Sequence, residues 1–288
     1  MHPRRIVAIY GKAGIGKSTV SSNISAALSQ MGEQVMQVGC DPKRDSIATL
    51  CGELKPTFME KMQEKRKVAE ADIDEVIFTG FNGVYGIECG GPKPGRGCAG
   101  KGVNWALETL DKHNIFDKYG ATVVIFDVLG DVVCGGFSQP IRSGYAKEMY
   151  IVVCGEVLTL FQANNILKAV VRLHETGVDV GVAGIINNMR GVEHEQEIVE
   201  AFGKLIGVPV IEHIPRSKVV QEAEFDGKTV IEAFPGSEQA DVYRRLARKI
   251  LENKDRYIPR IASLEDIERV IIQVTETELG DATTPHYR

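Results

Sequence analysis

The sequence predicts an α/β fold built as one domain, with a mostly parallel sheet covered by helices on both faces. Three observations carry that expectation. Strand-like apolar segments alternate with helical patterns along most of the chain. The first segment runs through a glycine-rich loop straight into a helix. No linker, internal repeat or low-complexity tract divides the 288 residues, a length that suits one large α/β domain or two smaller ones.

In order, residues 5–10 (RIVAIY) read as a buried strand, and 19–31 as a helix with Val20, Ile24, Ala27, Leu28 and Met31 at helical spacing. Residues 34–40 are a second strand. Residues 52–88 are less regular and are expected to form helices plus a short strand beside the main sheet. Further strands are expected at 122–127, 149–154, 180–187 and 208–214, and helices at 104–113, 158–174, 194–205 and 239–253. A last helix covers 264–274, and the polar tail 278–288 is expected to be mobile unless a partner subunit holds it. Crossovers between parallel strands should be right-handed.

The loop between the first strand and helix, GKAGIGKS, fits the phosphate-loop template G-x-x-x-x-G-K-[ST], with Gly11, Gly16, Lys17 and Ser18 at the fixed positions. Glycines let backbone N–H groups close on phosphate oxygens, and the helix start adds its positive dipole end. Lys17 would reach the terminal phosphates and Ser18 would hold Mg²⁺. The whole run Gly11, Lys12, Ala13, Gly14, Ile15, Gly16, Lys17, Ser18, Thr19 is expected to cradle nucleotide. An ordinary phosphate loop has no need of Lys12. In the deviant-Walker ATPases a lysine here crosses a dimer interface to the partner's nucleotide; a solvated surface lysine fits the spacing equally well.

Two further stretches end strands at the edge where α/β sheets bind ligands. In GCDPKRDS (39–46), Asp41 could orient or deprotonate the attacking water, Asp45 could touch Mg²⁺ through water, and Lys43 joins the nucleotide set. In FDVLGD (126–131), Asp127 takes the Walker B position near Mg²⁺. Gly130 could give its N–H to the γ-phosphate, and Asp131 competes with Asp41 for the water. The first stretch also fits a plain turn rich in Asp and Pro; the strand-ending Asp of the second gains meaning only from the phosphate loop before it.

Composition bounds the rest. The apolar fraction of 43% and charged fraction of 25% are ordinary for a globular protein. A net charge of −5 gives no electrostatic case for nucleic acid. No apolar run is long enough to span a bilayer, and MHPRR leads directly into a strand with no signal peptide evident, so a cytoplasmic location is the expectation. Six cysteines in such a chain point to metal binding or packing rather than disulfides. Cys98 and Cys134 lie in glycine-rich turns, where free N–H groups can face sulfur. A cubane needs four thiolates; two per chain, doubled by a two-fold axis, would supply them. Two unrelated buried thiols fit the same spacing.

Taken together, GKAGIGKST, VGCDPKRDS, ECGGPKPGRGCAGKG and FDVLGDVVCGGF closely resemble the iron protein of nitrogenase and nitrogenase-like systems. ANNI (163–166), INN (186–188), HIPR (213–216) and QADVY (239–243) extend the likeness over roughly residues 4–260. Residues 1–260 would then be a phosphate-loop iron-protein domain, and 261–288 a terminal helix and tail. The resemblance implies a homodimer with one MgATP site per subunit and one 4Fe–4S cubane on the two-fold axis, held by Cys98 and Cys134 of each chain. It assigns Lys12 the crossing role and places Asn187, Pro215, Arg216, Gln221, Glu224, Gln239 and Tyr243 in segments that hold adenine and ribose. It implies ATP-driven transfer of one low-potential electron to a docked catalytic protein, with a ferredoxin or flavodoxin as upstream donor. Asp127 and Cys134 share one short switch segment, which would link Mg²⁺ to the cluster.

Three departures stand out. Ala13 replaces the usual glycine. Lys101 replaces the arginine that follows Cys-Ala-Gly in nitrogenase reductases, keeping the charge but not the planar fork. The helix start EVLTLFQ (156–162) lacks the usual Met and Tyr. These favour a nitrogenase-like relative with another catalytic partner, for tetrapyrrole or organosulfur reduction, over a true dinitrogen reductase. The rival of another class is a positioning or scaffold ATPase of the deviant-Walker group, without a cluster. Cys40, Cys51, Cys89 and Cys154 have no ligand role in the resemblance; Cys40 and Cys154 end strands and read as packing, and what Cys89 does at the start of the cluster loop is left open.

Overall fold

The computed structural model describes residues 4–62, 65, 68–91, 99–130, 140 and 145–281. Among these, eight strands form one sheet in the order β3-β4-β2-β5-β1-β6-β7-β8. They are β1 (Arg5–Gly11), β2 (Val35–Cys40), β3 (Phe78–Thr79), β4 (Tyr85–Glu88), β5 (Val123–Val128), β6 (Glu148–Val153), β7 (Gly181–Asn188) and β8 (Val210–Ile214). Every pairing is parallel except the short β3–β4 contact at the edge. The expected single strand beside the sheet is thus two strands within it. β4 pairs along β2, and its alternation is short because the segment carries only four paired residues.

β1 lies between β5 and β6, and both its faces are buried. Val7 and Ile9 point into one core; Ala8 and Tyr10 point into the other, as period-two alternation requires. The first core is covered by α1 (Lys17–Gln30) and α11 (Glu238–Glu252), through Val20, Ile24, Leu28, Tyr243, Leu246 and Ile250. The second is covered by α5 (Ala99–Lys112), α7 (Val157–Glu175), α8 (Glu195–Ile206) and α12 (Leu264–Asp281). Fully burying one such Ile or Leu is worth about 1.5–3 kcal/mol, so both faces hold the sheet firmly. The last helix continues past residue 274 to Asp281 and anchors itself through buried Ile267.

Short helices fill the gaps: α2 (Ala48–Cys51), α3 (Phe58–Met62), α4 (Glu70–Asp74), α6 (Ile115–Lys118), α9 (Lys218–Phe225) and α10 (Val230–Ala233). Ser217, Thr229 and Ser237 cap α9, α10 and α11, each side chain accepting a backbone N–H of the first turn. What matters for function is register. Ile9 and Gly39 both pair with Asp127. The phosphate loop, the Asp41 loop and the Walker B aspartate therefore emerge side by side at the C-terminal strand ends.

Candidate nucleotide site

Gly16 closes the phosphate loop in the left-handed region, at φ 96°, and stands at the N-cap of α1 without a side-chain cap. A Cβ there would meet Asn188 Nδ2 at 2.5 Å. Only glycine combines that backbone angle with so close a neighbour. The first N–H groups of α1 are left for an anion. Ile15 N donates to Lys12 O at 3.2 Å, curling the loop. Lys17 is buried, and its ammonium donates back to Lys12 O at 3.3 Å.

Asp127 faces Lys17 from β5. Both carboxylate oxygens are buried, and no hydrogen bond of good geometry reaches either, although the Ser18 and Ser46 hydroxyls lie near. Burial pushes its pKa up, against the Lys17 ammonium and the Ser18 and Ser46 hydroxyls, which favour the charged form. Burial also lowers the Lys17 pKa, against Asp127 and Asp41. Two opposite charges buried together beside a cavity fit a phosphate for the lysine and a cation for the aspartate. Asp41 is buried beside them and accepts from Lys43 N at 2.9 Å. A cavity of about 170 Å³ is lined by Ala13, Gly14, Gly16, Lys17, Ser18, Thr19, Asp41, Lys43 and Asp45. The predicted phosphate and Mg²⁺ residues thus come together, and their chemistry fits MgATP. Gly130 packs directly on the loop: a Cβ there would lie 1.6 Å from Gly11 O.

A second cleft of about 540 Å³ continues from the first, sharing Gly14, Gly16 and Thr19. Pro215, Arg216, Gln221, Glu224, Gln239 and Tyr243, from the segments that the resemblance gives to adenine and ribose, line it together. Thr19 Oγ1 donates to Glu224 at 2.8 Å, tying α1 to α9. Asn187 does not line it. It is fully buried under the wall, its amide against His213 at 3.0 Å. Successive strand residues alternate in direction, so at the end of β7 it is Asn188 that reaches the cleft, donating to Ile15 O at 2.6 Å. The tandem Asn187-Asn188 carried the signal but not the choice. Arg190, which donates to Gly14 O and lines the same cleft, was missed; a lone arginine in a turn carries no motif.

Asp131, Cys98 and Cys134 lie outside the described residues, as does the tail beyond residue 281. The other four cysteines are free thiols. Cys40 Sγ donates to Val38 O at 3.8 Å, and the neighbouring Cys89 thiol together with burial pushes the Cys40 thiol far up. Burial raises Cys51 to about 11 and also raises Cys154. Cys40 packs in the second core and Cys154 in the first, against which Cys51 also packs, partly buried. Lys12 is half-buried and Lys101 is exposed at the start of α5.

The fold and site define a phosphate-loop nucleotide-binding protein, with buried Asp127 near the end of β5 and Asp41 just past the end of β2 beside the loop. The solved structures share that fold. The septum site-determining protein MinD complexed with Mg-ADP from Pyrococcus horikoshii OT3 superposes with a TM-score of 0.68 at 21% identity, over 86% of this chain and 96% of that one. A ParA family ATPase from Chlorobium tepidum TLS gives 0.65 at 18%, over 86% and 99%. Sequence relatives are far nearer. Nitrogenase iron protein 1 of Methanothermobacter thermautotrophicus is 47% identical over 272 residues, 93% of this chain and 98% of the relative. The nitrogenase iron protein of Methanospirillum hungatei JF-1 is 45% identical, over 92% and 94%. Residues 5–277 match the 4Fe-4S iron sulfur cluster binding proteins of the NifH/frxC family, and the chain belongs to that family. As a member it is an ATP-dependent, electron-donating reductase component that binds MgATP and a 4Fe–4S cluster. Among the described residues no helix is long and apolar enough to cross a membrane.

Proposed function

We propose that this chain forms a homodimer that delivers low-potential electrons, one at a time, to a nitrogenase-like catalytic protein other than a dinitrogen reductase. The observation that carries the ATP-coupled part is the buried Asp127 carboxylate facing Lys17 beside Asp41, at the edge shared by all three loops. Lys17 holds the terminal phosphates, and Asp127 and Ser18 hold Mg²⁺, with Asp45 acting through water. Asp41 orients the attacking water, while Asp131 serves switching. Gly130, seated on the phosphate loop, offers its N–H to the γ-phosphate. Lys12 reaches the partner subunit's nucleotide. Cys98 and Cys134 of each subunit hold the cubane, which when bound supplies a one-electron carrier. A ferredoxin or flavodoxin reloads it. The reading puts the protein in the cytoplasm.

The names of the relatives favour a second reading, a nitrogenase reductase proper. Against it stand Lys101, Ala13 and the altered 156–162 helix start. The two are separated by mixing the reduced protein with a molybdenum–iron nitrogenase component and MgATP. We expect little substrate reduction. Reduction at the rate of that component's own reductase would overturn the preference. A positioning ATPase without a cluster would show no absorbance band near about 400 nm that dithionite bleaches.

A further inference from the structure

Glu88 is a buried acid that the roles above leave unused. Glu88 ends β4 with its side chain fully buried. Its Oε1 accepts from Ile47 N at 2.8 Å, and Oε2 has no partner. The carboxyl group lies over Gly39, where a Cβ would fall 2.1 Å from Oε2 and 2.7 Å from Ser46 Cβ. Residue 39 must therefore lack a side chain for β2 to lead into the 41–47 loop past this acid. That loop holds Asp41, Lys43 and Asp45, and Ile47 closes it.

Immediately after Glu88 the chain enters the segment that carries Cys98. Cys89 N donates to Gly39 O at 2.8 Å, and Met59 N donates to Cys89 O at 3.1 Å. α3 is tied in turn to the 41–47 loop, since Arg44 pairs with Glu60 at 2.8 Å. On the far side of the Cys98 segment, the first turn of α5 rests on the same helix. A Cβ at Gly102 would lie 3.0 Å from Met59 Cγ. Glu88 thus fastens the leading flank to the nucleotide loop, and the Met59–Cys89 hydrogen bond passes that hold to α3, on which the trailing flank rests.

We propose that Glu88 is a positioning residue which, with α3, clamps residues 89–91 and 99–104, the flanks of the stretch that contains Cys98, to the 41–47 loop, so that nucleotide binding is felt at both flanks. The buried Ile47 N–H must keep an acceptor, so loop and strand end move together. This link is separate from the run between Asp127 and Cys134. Its bearing on the cluster rests on the reading of Cys98 as a ligand.

The test uses the full-length dimer, prepared anaerobically. Amide exchange is measured over residues 41–47 and 99–104, with and without MgATP, alongside the EPR spectrum of the reduced cluster. In the parent, MgATP should slow or speed exchange in both segments. Glu88→Gln keeps an acceptor for Ile47 and should match the parent. Glu88→Met removes the acceptor; the response at 41–47 should persist while that at 99–104 falls about tenfold, the size of an ordinary coupling. A Met variant with a parent-sized response at 99–104 would overturn the clamp, as would a parent with none. Should the Met variant not fold, Arg44→Gln takes its place; it should weaken the 99–104 response, and an undiminished one counts against the proposal. A parent that lacks a cluster yet shows exchange coupling would sink the functional reading and leave the clamp standing.

Discussion

Lys17 and Asp127 are buried together, and each is pushed toward neutrality by the crevice and toward charge by the other. Phosphate and Mg²⁺ would relieve both. Lys17→Ala should therefore abolish productive MgATP binding, measured by calorimetry, since no other loop side chain is placed to neutralise the terminal phosphates; unchanged affinity would refute the role. Asp41→Asn and Asp131→Asn should each spare binding and slow hydrolysis in the presence of partner. Parent rates in both would remove both from the chemistry. Glu88 allows a pH prediction. Burial raises its pKa from 4.5 to about 8. The folded state therefore holds an extra proton between those values, and stability falls as pH rises through that window, levelling above it. The nucleotide-free parent should lose melting temperature relative to Glu88→Gln from pH 4.5 to pH 8; parallel curves would contradict the assignment.

At the scale of elements, the strand ends of β1, β2 and β5 make the site, and the sequence announced all three. The phosphate loop was legible because its glycines and lysine sit at fixed spacing on a strand-to-helix turn. Asp41 and Asp127 were legible because each ends an apolar run. A short strand in residues 52–88 was expected, but not the place of β4 within the sheet, because four residues in an irregular stretch give no periodicity to read. The step from Asn187 to Asn188 escaped for a related reason. Alternation fixes which residue faces the cleft only once the register of β7 is known. Glu88 escaped because a single acid at the end of a short strand looks like a surface residue until burial is seen. Gly130 offers the test at this scale. Any Cβ must displace the phosphate loop, so Gly130→Ala should weaken nucleotide binding by more than about tenfold, or about 1.4 kcal/mol. Binding at parent affinity would mean that the loop and the switch segment are not in register as described.

For the whole molecule, function depends on surfaces that meet other proteins. Lys101 is exposed at the start of α5, just after Cys98. As a rim cation it would steer encounter with an acidic partner. Lys101→Glu should cut partner-dependent ATP hydrolysis while cluster content and MgATP binding stay at parent levels. Electron delivery should also weaken as salt shortens the Debye length below about 10 Å. Salt-independent delivery would point to an apolar docking face instead. The central claim, however, is that two chains share one cubane through Cys98 and Cys134. Iron counted per dimer, after anaerobic reconstitution, tests it most directly. The account predicts about four irons per dimer in the parent, and none stably bound in Cys98→Ser or Cys134→Ser, with MgATP binding retained. A Cys134→Ser dimer with full iron content would contradict it.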